Sequence, residues 1–235
     1  MRYRDGVAMT TQPSLLDGLL GADMGASVGA GAGGLDGGTT RPTLAPLAEG
    51  LERHELRRGA WVDVRPGWVQ GSESLFERLL ADVPWRGERR QMYDREVAVP
   101  RLLRWYGGRE TLPHGALTDA REALNAHYGP ELGEPFVTAG MCLYRDGRDS
   151  VAWHGDRIGR SRTEDTMVAI VSFGSPRPLL LRPVGGGQSL RFTLGHGDLV
   201  VMGGSCQRTW EHCIPKTAKA VGPRVSVQYR PRGVA

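Results

Sequence analysis

Cysteine, lysine and uninterrupted apolar sequence are all scarce in this chain of 235 residues, and each scarcity excludes something. The three cysteines, Cys142, Cys206 and Cys213, show no CxxC spacing. A disulfide scaffold or a zinc ribbon is therefore not expected, and a reducing cytoplasm is the setting such usage suggests. No stretch approaches the roughly 20 consecutive apolar residues of a membrane helix, so no membrane partner is expected. The one N-terminal run that resembles a secretory signal, Leu15 to Val28, is interrupted by Asp17 and Asp23, which argues against export. With 40% hydrophobic and 24% charged residues, the chain is neither a coiled coil nor a wholly disordered polymer. Its length suits one substantial domain, expected as a monomer.

Lysine is nearly absent: Lys216 and Lys219 stand against 28 arginines. The placement of the arginines is more informative than their number. Between Arg86 and Arg109, seven arginines (Arg86, Arg89, Arg90, Arg95, Arg101, Arg104 and Arg109) face three acids, an excess equal to the net +4 of the whole chain. With Tyr93, Trp105 and Tyr106 interleaved, this segment has the composition of a phosphate-backbone contact surface. A solvated charged face has the same composition, and that reading stays open here.

Residues 1–48 carry no periodicity, and Gly21 to Gly38 is largely Gly, Ala, Asp and Ser. Such a segment buries too little apolar surface to offset its ordering entropy, so a disordered tail is expected. Residues 49–235 are expected as one domain, with helices and a recognition region over 49–135 and a catalytic core over 136–235. The spacing predicts a helix over Ser72 to Ala81, capped by Ser72, and a second over Thr118 to Tyr128. Trp61 to Val69 and Glu96 to Tyr106 are strand-like. Beyond Phe136, short strands recur between glycine turns: Phe136–Tyr144, Met167–Phe173, Leu179–Pro183, Ser189–Leu194, Asp198–Met202 and Arg224–Arg230. That pattern predicts a mainly β, α+β fold whose core is a jelly roll, the double-stranded β-helix, braced by helices.

The strongest local signal is Trp153-His154-Gly155-Asp156. Residues i and i+2 of an extended chain point to one face, so the imidazole and the carboxylate converge. His212, in Trp210-Glu211-His212, offers a third donor after the Asp198–Met202 strand. Two histidines and one carboxylate form a facial triad that leaves octahedral positions open, the arrangement of non-haem Fe(II) oxygenases. Zinc prefers four tetrahedral ligands, and no fourth is evident. On Arg224–Arg230, alternation puts Val225, Val227 and Tyr229 on one face and Arg224, Ser226, Gln228 and Arg230 on the other. Buried arginines require anionic partners, which a dicarboxylate supplies; an edge strand with water-facing arginines reads the same way. His54 and His127 are expected at the surface and His196 in a turn.

Taken together, these motifs resemble the AlkB-type Fe(II)/2-oxoglutarate-dependent dioxygenases. The likeness runs through Leu143-Tyr144-Arg145-Asp146-Gly147, the His154-x-Asp156 motif, Val171-Ser172-Phe173-Gly174, His196-Gly197, Trp210-x-His212 and Pro223-Arg224-Val225. Upstream, Asp82-Val83-Pro84-Trp85 and Pro100-Arg101-Leu102-x-x-Trp105-Tyr106-Gly107 match that family's nucleotide-recognition region. The resemblance implies Fe(II), 2-oxoglutarate and O2 as cofactors and cosubstrates, with His154, Asp156 and His212 as iron ligands. It implies Tyr144 and Arg224 at the distal carboxylate of 2-oxoglutarate, Arg230 at the carboxylate beside the keto group, and Cys142 and Ser226 in the same pocket. It further implies oxidative demethylation of alkylated bases in DNA or RNA, releasing succinate, CO2 and formaldehyde. Arg89, Arg90, Arg95, Arg101, Trp105, Tyr106 and Arg157 are the nucleic-acid contacts expected on this reading. Three features depart from the family's pattern. Cys142 stands where it has asparagine, and Ser226 and Gln228 where it has asparagine and threonine. Arg157-Ile158 stands in place of acidic base-reading residues, and the Tyr-x-Phe/Tyr-Ser stretch is absent. A dioxygenase of the same fold acting on a protein or small molecule, and a silent lesion-binding module, are the two rival readings.

Overall fold

The computed structural model describes residues 41–92, 95–157 and 159–234, without the side chains of residues 90–98. In chain order the strands and helices are β1 (Thr43–Leu44), β2 (Glu52–Glu55), β3 (Ala60–Arg65), β4 (Val69–Gln70), α1 (Glu73–Asp82), β5 (Arg86–Met92), β6 (Arg95–Tyr106) and α2 (Gly115–Leu132). They continue as β7 (Thr138–Tyr144), β8 (Val151–His154), β9 (Val168–Gly174), β10 (Arg177–Pro183), β11 (Leu190–Leu194), β12 (Leu199–Gly204), α3 (Cys206–Thr209), β13 (Trp210–Ile214) and β14 (Arg224–Arg230). Among the described residues, a major sheet runs in the order β2-β3-β12-β9-β14-β7-β6-β5, and a minor sheet in the order β11-β10-β13-β8. All their pairings are antiparallel. The two sheets make the expected jelly roll.

Period-two alternation on the central strands of the major sheet divides the protein into layers. Ala169, Val171 and Phe173 of β9, Leu199 and Val201 of β12, and Val225, Val227 and Tyr229 of β14 form one core with helices α1 and α2. That core includes Leu75 and Leu79 of α1 and Leu117, Leu124 and Tyr128 of α2. The opposite faces of β9 and β12, through Val168, Ile170, Val200 and Met202, pack with Leu179, Leu181 and Leu194 of the minor sheet. On β14 the residues of that second face are Arg224, Ser226, Gln228 and Arg230, so polar groups replace the core there. Strand β14 is paired on both sides, by β9 and β7, so the edge-strand reading of its arginines is excluded.

Several expectations are corrected. The described structure begins within the expected tail: β1 pairs with β4, and Leu44, Ala45 and Leu47 pack against the helix-side core. Residues 1–40 of that tail lie outside the described residues. Strands on both sides of residue 135 share the major sheet, so 49–135 supplies sheet as well as helices. Ser72 sits at the N-terminus of α1 without a side-chain cap; its hydroxyl instead meets His196 Nε2 at 2.6 Å. His54 is exposed as expected, but on strand β2 rather than on a helix or linker. Strands β2, β5 and β13 were not expected, because their exposed or mixed-polarity sequences carry no alternation that sequence alone can read.

A polar network ties α2 to the sheet. Asp63 of β3 is fully buried and accepts from Arg53 Nε (2.8 Å), Arg53 NH2 (2.9 Å) and the Tyr128 hydroxyl (3.0 Å). Removing the carboxylate leaves the buried Tyr128 hydroxyl without its partner, while Arg53 keeps only Glu131. Asp63→Ala is expected to destabilise the fold by about 3 kcal/mol, and Tyr128→Phe by about 1 kcal/mol. Urea unfolding at matched slope measures both, and an Asp63→Ala midpoint equal to wild type would refute the account.

Candidate active site

The sheets part at one end around a cavity of about 700 Å3. His154 closes β8, and the register of the minor sheet sets His212 of β13 directly opposite it. Their rings lie 4.3 Å apart, centroid to centroid. Asp156 follows two residues on, and ligand atoms of His154, Asp156 and His212 all lie within 4.8 Å of one another. The His154 Nδ1 atom is 2.9 Å from the Ala152 carbonyl, an obligate acceptor, so Nδ1 carries the proton. That leaves the lone pair on Nε2, which faces Asp156 Oδ1 at 3.5 Å. Gly155 makes the tight approach feasible. A Cβ there would meet the Gln207 carbonyl oxygen at 2.5 Å and the Trp210 carbonyl at 3.2 Å. Gln207 also fixes the next residue, its Oε1 accepting from the Asp156 amide at 3.0 Å.

Asp156 and His212 are both buried. Burial would raise the Asp156 carboxyl, but the Arg230 guanidinium and the two imidazoles outweigh it and hold the group well below its ordinary value. Arg230 Nε and NH2 both donate to Oδ2, at 3.0 and 2.8 Å. This leaves Oδ1 on the histidine side. His212 is pushed down to about 3 by burial and by His154, so its imidazole is neutral at pH 7. Two imidazoles and one carboxylate are a donor set suited to a divalent first-row metal, with coordination positions left over.

The opposite wall belongs to the major sheet. Cross-strand rows on its cavity face run Trp105, Gly140, Gln228 and then Leu103, Cys142, Ser226. Tyr144 and Arg224 pair in the next row. Gly140 provides room in the first row, since a Cβ there would lie 2.9 Å from Arg230 NH1 and 3.3 Å from the Trp105 ring. Gln228 Nε2 donates to Ser226 Oγ at 2.7 Å and approaches Cys142 Sγ at 3.3 Å. Arg224 is 1% exposed. Its Nε donates to Ser172 Oγ at 2.8 Å, while NH1 is buried with no partner. Tyr144 is pushed up to about 12 by burial, with Cys142 adding to the shift, so its phenol remains a donor. A buried guanidinium with an open N–H beside a neutral phenol fits one carboxylate of a dicarboxylate. The pocket therefore fits 2-oxoglutarate on its own chemistry.

The expected nucleic-acid residues separate. Arg86 and Arg89 lie exposed on β5, and the side chains of Arg90 and Arg95 fall outside the described residues. Trp105, 41% exposed, stands at the cavity with its ring 5.9 Å from the Arg230 guanidinium carbon. Tyr106 is corrected: alternation along β6 turns it to the helix side, where it is buried in the core beneath Arg104. Arg157 folds back, its Nε donating to the Gln207 carbonyl at 3.2 Å, and it does not line the cavity. Arg101 points inward rather than toward the surface.

Sequence reasoning missed Arg177 and Gln207. Arg177 is 1% exposed and donates to the Asp146, Asp149 and Pro215 carbonyls at 3.0, 2.9 and 2.7 Å. It thereby ties the loop before β8 to the loop after β13, the two strands that present the histidines. Its position directly after Ser175-Pro176 has no periodic or motif signal.

Comparison with known proteins agrees with this geometry. Residues 66–230 match the model of the 2OG-Fe(II) oxygenase superfamily. The human alpha-ketoglutarate-dependent dioxygenase alkB homolog 3 is 32% identical over 198 residues, 72% of this chain. The bovine protein of the same name is also 32% identical over 198 residues, and the chain spans 66% of the length of either. The Arabidopsis thaliana DNA oxidative demethylase ALKBH2 is 28% identical, with 68% of this chain and 62% of that protein covered. A 2OG-Fe(II) oxygenase family structure from Burkholderia pseudomallei shares the fold, with a TM-score of 0.51 at 11% identity over 74% of this chain and 86% of that one. Site and similarity converge: the chain belongs to the 2OG-Fe(II) oxygenase superfamily, as an AlkB-type Fe(II)/2-oxoglutarate-dependent dioxygenase.

Proposed function

We propose that this protein oxidatively demethylates alkylated bases in DNA or RNA, with His154, Asp156 and His212 holding the iron and Tyr144 and Arg224 holding the distal carboxylate of 2-oxoglutarate. The observation that carries the reading is the junction of the His154–Asp156–His212 cluster with the arginine-bearing β5–β6 hairpin. Both border one cavity, whose lining includes Arg86, Arg104 and Trp105. Similarity to proteins named as DNA oxidative demethylases supports it.

When bound, iron with 2-oxoglutarate and dioxygen would supply the oxidation of an N-methyl carbon, one oxygen atom going to that carbon and the other to succinate as CO2 is lost, and the hydroxymethyl group would then leave as formaldehyde. The protein's own residues arrange that chemistry. Arg230 occupies Oδ2 of Asp156 and leaves one oxygen for the metal. The Ala152 carbonyl fixes the His154 tautomer, as a second partner does for most metal-bound histidines. Buried Arg224 and the neutral Tyr144 phenol give the cosubstrate one orientation. Trp105 offers a planar face at the mouth, where a base taken out of its stack would arrive. Exposed Arg86 and Arg89 can meet phosphates on the outside. Three free, buried cysteines fit a reducing cytoplasm, which we propose as its location, and we propose that it acts as a monomer.

His154→Ala and Asp156→Ala are each expected to reduce 2-oxoglutarate turnover, read as succinate release, by at least about 100-fold, because loss of a metal ligand or its support costs that much. Chelation should do the same to wild type. Turnover that survives in both variants would reject the ligand assignment.

On the substrate side, oligonucleotide affinity should fall steeply with salt as arginine–phosphate contacts release counterions. Replacing Arg89, Arg90 and Arg95 by alanine should flatten the log–log slope by about 0.9 per lost duplex contact or about 0.7 per single-strand contact. Succinate release without nucleic acid should be spared. Mass spectrometry of methylated DNA and RNA oligonucleotides decides the reaction: if no methyl group is removed, a protein or small-molecule hydroxylase becomes the better reading.

A further inference from the structure

Arg101 was expected among the phosphate contacts, yet it lies on the cavity face of β6 with Leu103 and Trp105. The register of β6 against β7 pairs Leu103 with Cys142 and Leu102 with Leu143. One further antiparallel step aligns Arg101 with Tyr144, which itself pairs with Arg224 of β14. Arg101, Tyr144 and Arg224 therefore form one row across three strands, with the phenol between two guanidinium groups. Directly opposed side chains on a sheet face are within contact range of each other.

Each guanidinium of this row keeps a buried N–H without a hydrogen-bond partner. Arg101 NH1 donates to the Ser150 carbonyl at 3.2 Å, an uncharged partner, and its Nε is buried without one. Arg224 NH1 is likewise buried and unpaired. Of the carboxylates lining the cavity among the described residues, Asp156 is taken by Arg230, and Glu88 is only the smallest of the favourable influences on Arg101, behind Cys142 and Tyr144. Burial pushes the Arg224 guanidinium below its ordinary value, and the nearby Arg177 charge adds to that. Two cations facing one phenol, each with an open N–H, are favourable only when an anion arrives between them. A carboxylate has two oxygens and about four acceptor sites, enough for both forks. A phosphate outside the cavity is a poor alternative, because the Ser150 bond holds Arg101 inward.

We propose that Arg101 is a second guanidinium on the distal carboxylate of 2-oxoglutarate, beside Arg224, and that the cosubstrate rather than nucleic-acid phosphate is its partner; this rests on the reading of Tyr144 and Arg224 given above. Arg101 is then a specificity-determining residue. It selects keto acids that carry a second carboxylate, and it couples strand β6, which also bears Trp105, to occupancy of the pocket.

Calorimetric titration of the Fe(II)-loaded protein without oxygen tests this. Arg101→Met should raise the dissociation constant for 2-oxoglutarate at least tenfold. Arg101→Lys should raise it less, since lysine keeps the charge and loses the fork. 2-Oxobutanoate, which lacks the distal carboxylate, should bind wild type and Arg101→Met alike. Retention of a single-stranded oligonucleotide and its salt slope should also be the same in both. Unchanged 2-oxoglutarate affinity in Arg101→Met, an equal loss for both keto acids, or a flattened salt slope overturns the proposal. Arg224→Leu separates the two levels of the reading. If it weakens 2-oxoglutarate binding and Arg101→Met does not, only the role of Arg101 falls. If neither variant changes affinity, the cosubstrate assignment falls with it.

Discussion

The pair between Arg230 and Asp156 joins the two sheets at the point where the chemistry is placed. Arg230 ends the central strand of the major sheet, and Asp156 follows the strand of the minor sheet that presents His154. Two donors on a single carboxylate oxygen, inside a buried site, fix both orientation and ionisation. An ion pair so placed adds little to net stability, because desolvation offsets most of its Coulombic gain. Its effect is geometric. It holds the carboxylate at the distance and rotation at which two imidazoles can share a metal with it.

The remaining wall follows from one strand with two kinds of face. Val225, Val227 and Tyr229 seal β14 against the helices, and Tyr229 adds a hydrogen bond to the Leu117 carbonyl at 2.8 Å. With that side anchored, Arg224, Ser226, Gln228 and Arg230 have no way out of the interior. Their charge is balanced by Asp156 at one end and left open at the other. A site that is complete in its metal-ligand half and cationic in its cosubstrate half is the physical form of a requirement for a dicarboxylate.

The substrate side is built differently. Arg86 and Arg89 are exposed on β5, the edge strand of the major sheet beside β6, where the proposed phosphate contacts would cost little desolvation. Trp105 and Arg101 lie on the inward face of the neighbouring strand. Residues that composition groups into one basic, aromatic cluster thus lie on two surfaces. The sheet's alternation assigns them, and Tyr106 is turned to a third environment, the core.

Much of the site was legible along the chain because its information is local. His154-Gly155-Asp156 places two donors on one face by spacing alone, and the alternation of Arg224–Arg230 predicts two faces whatever surrounds it. Helix α1 and most strands of the jelly roll were legible for the same reason, since hydrophobic period and glycine turns are short-range signals. Tertiary structure alone decided whether β14 is central or at an edge, because that depends on which strands lie beside it. It also decided that Arg101 faces inward, that Tyr106 is buried, that Arg157 folds onto Gln207, and that Arg177 joins the loops flanking the histidine strands. Each of these depends on contacts between residues distant in sequence, which no local pattern encodes.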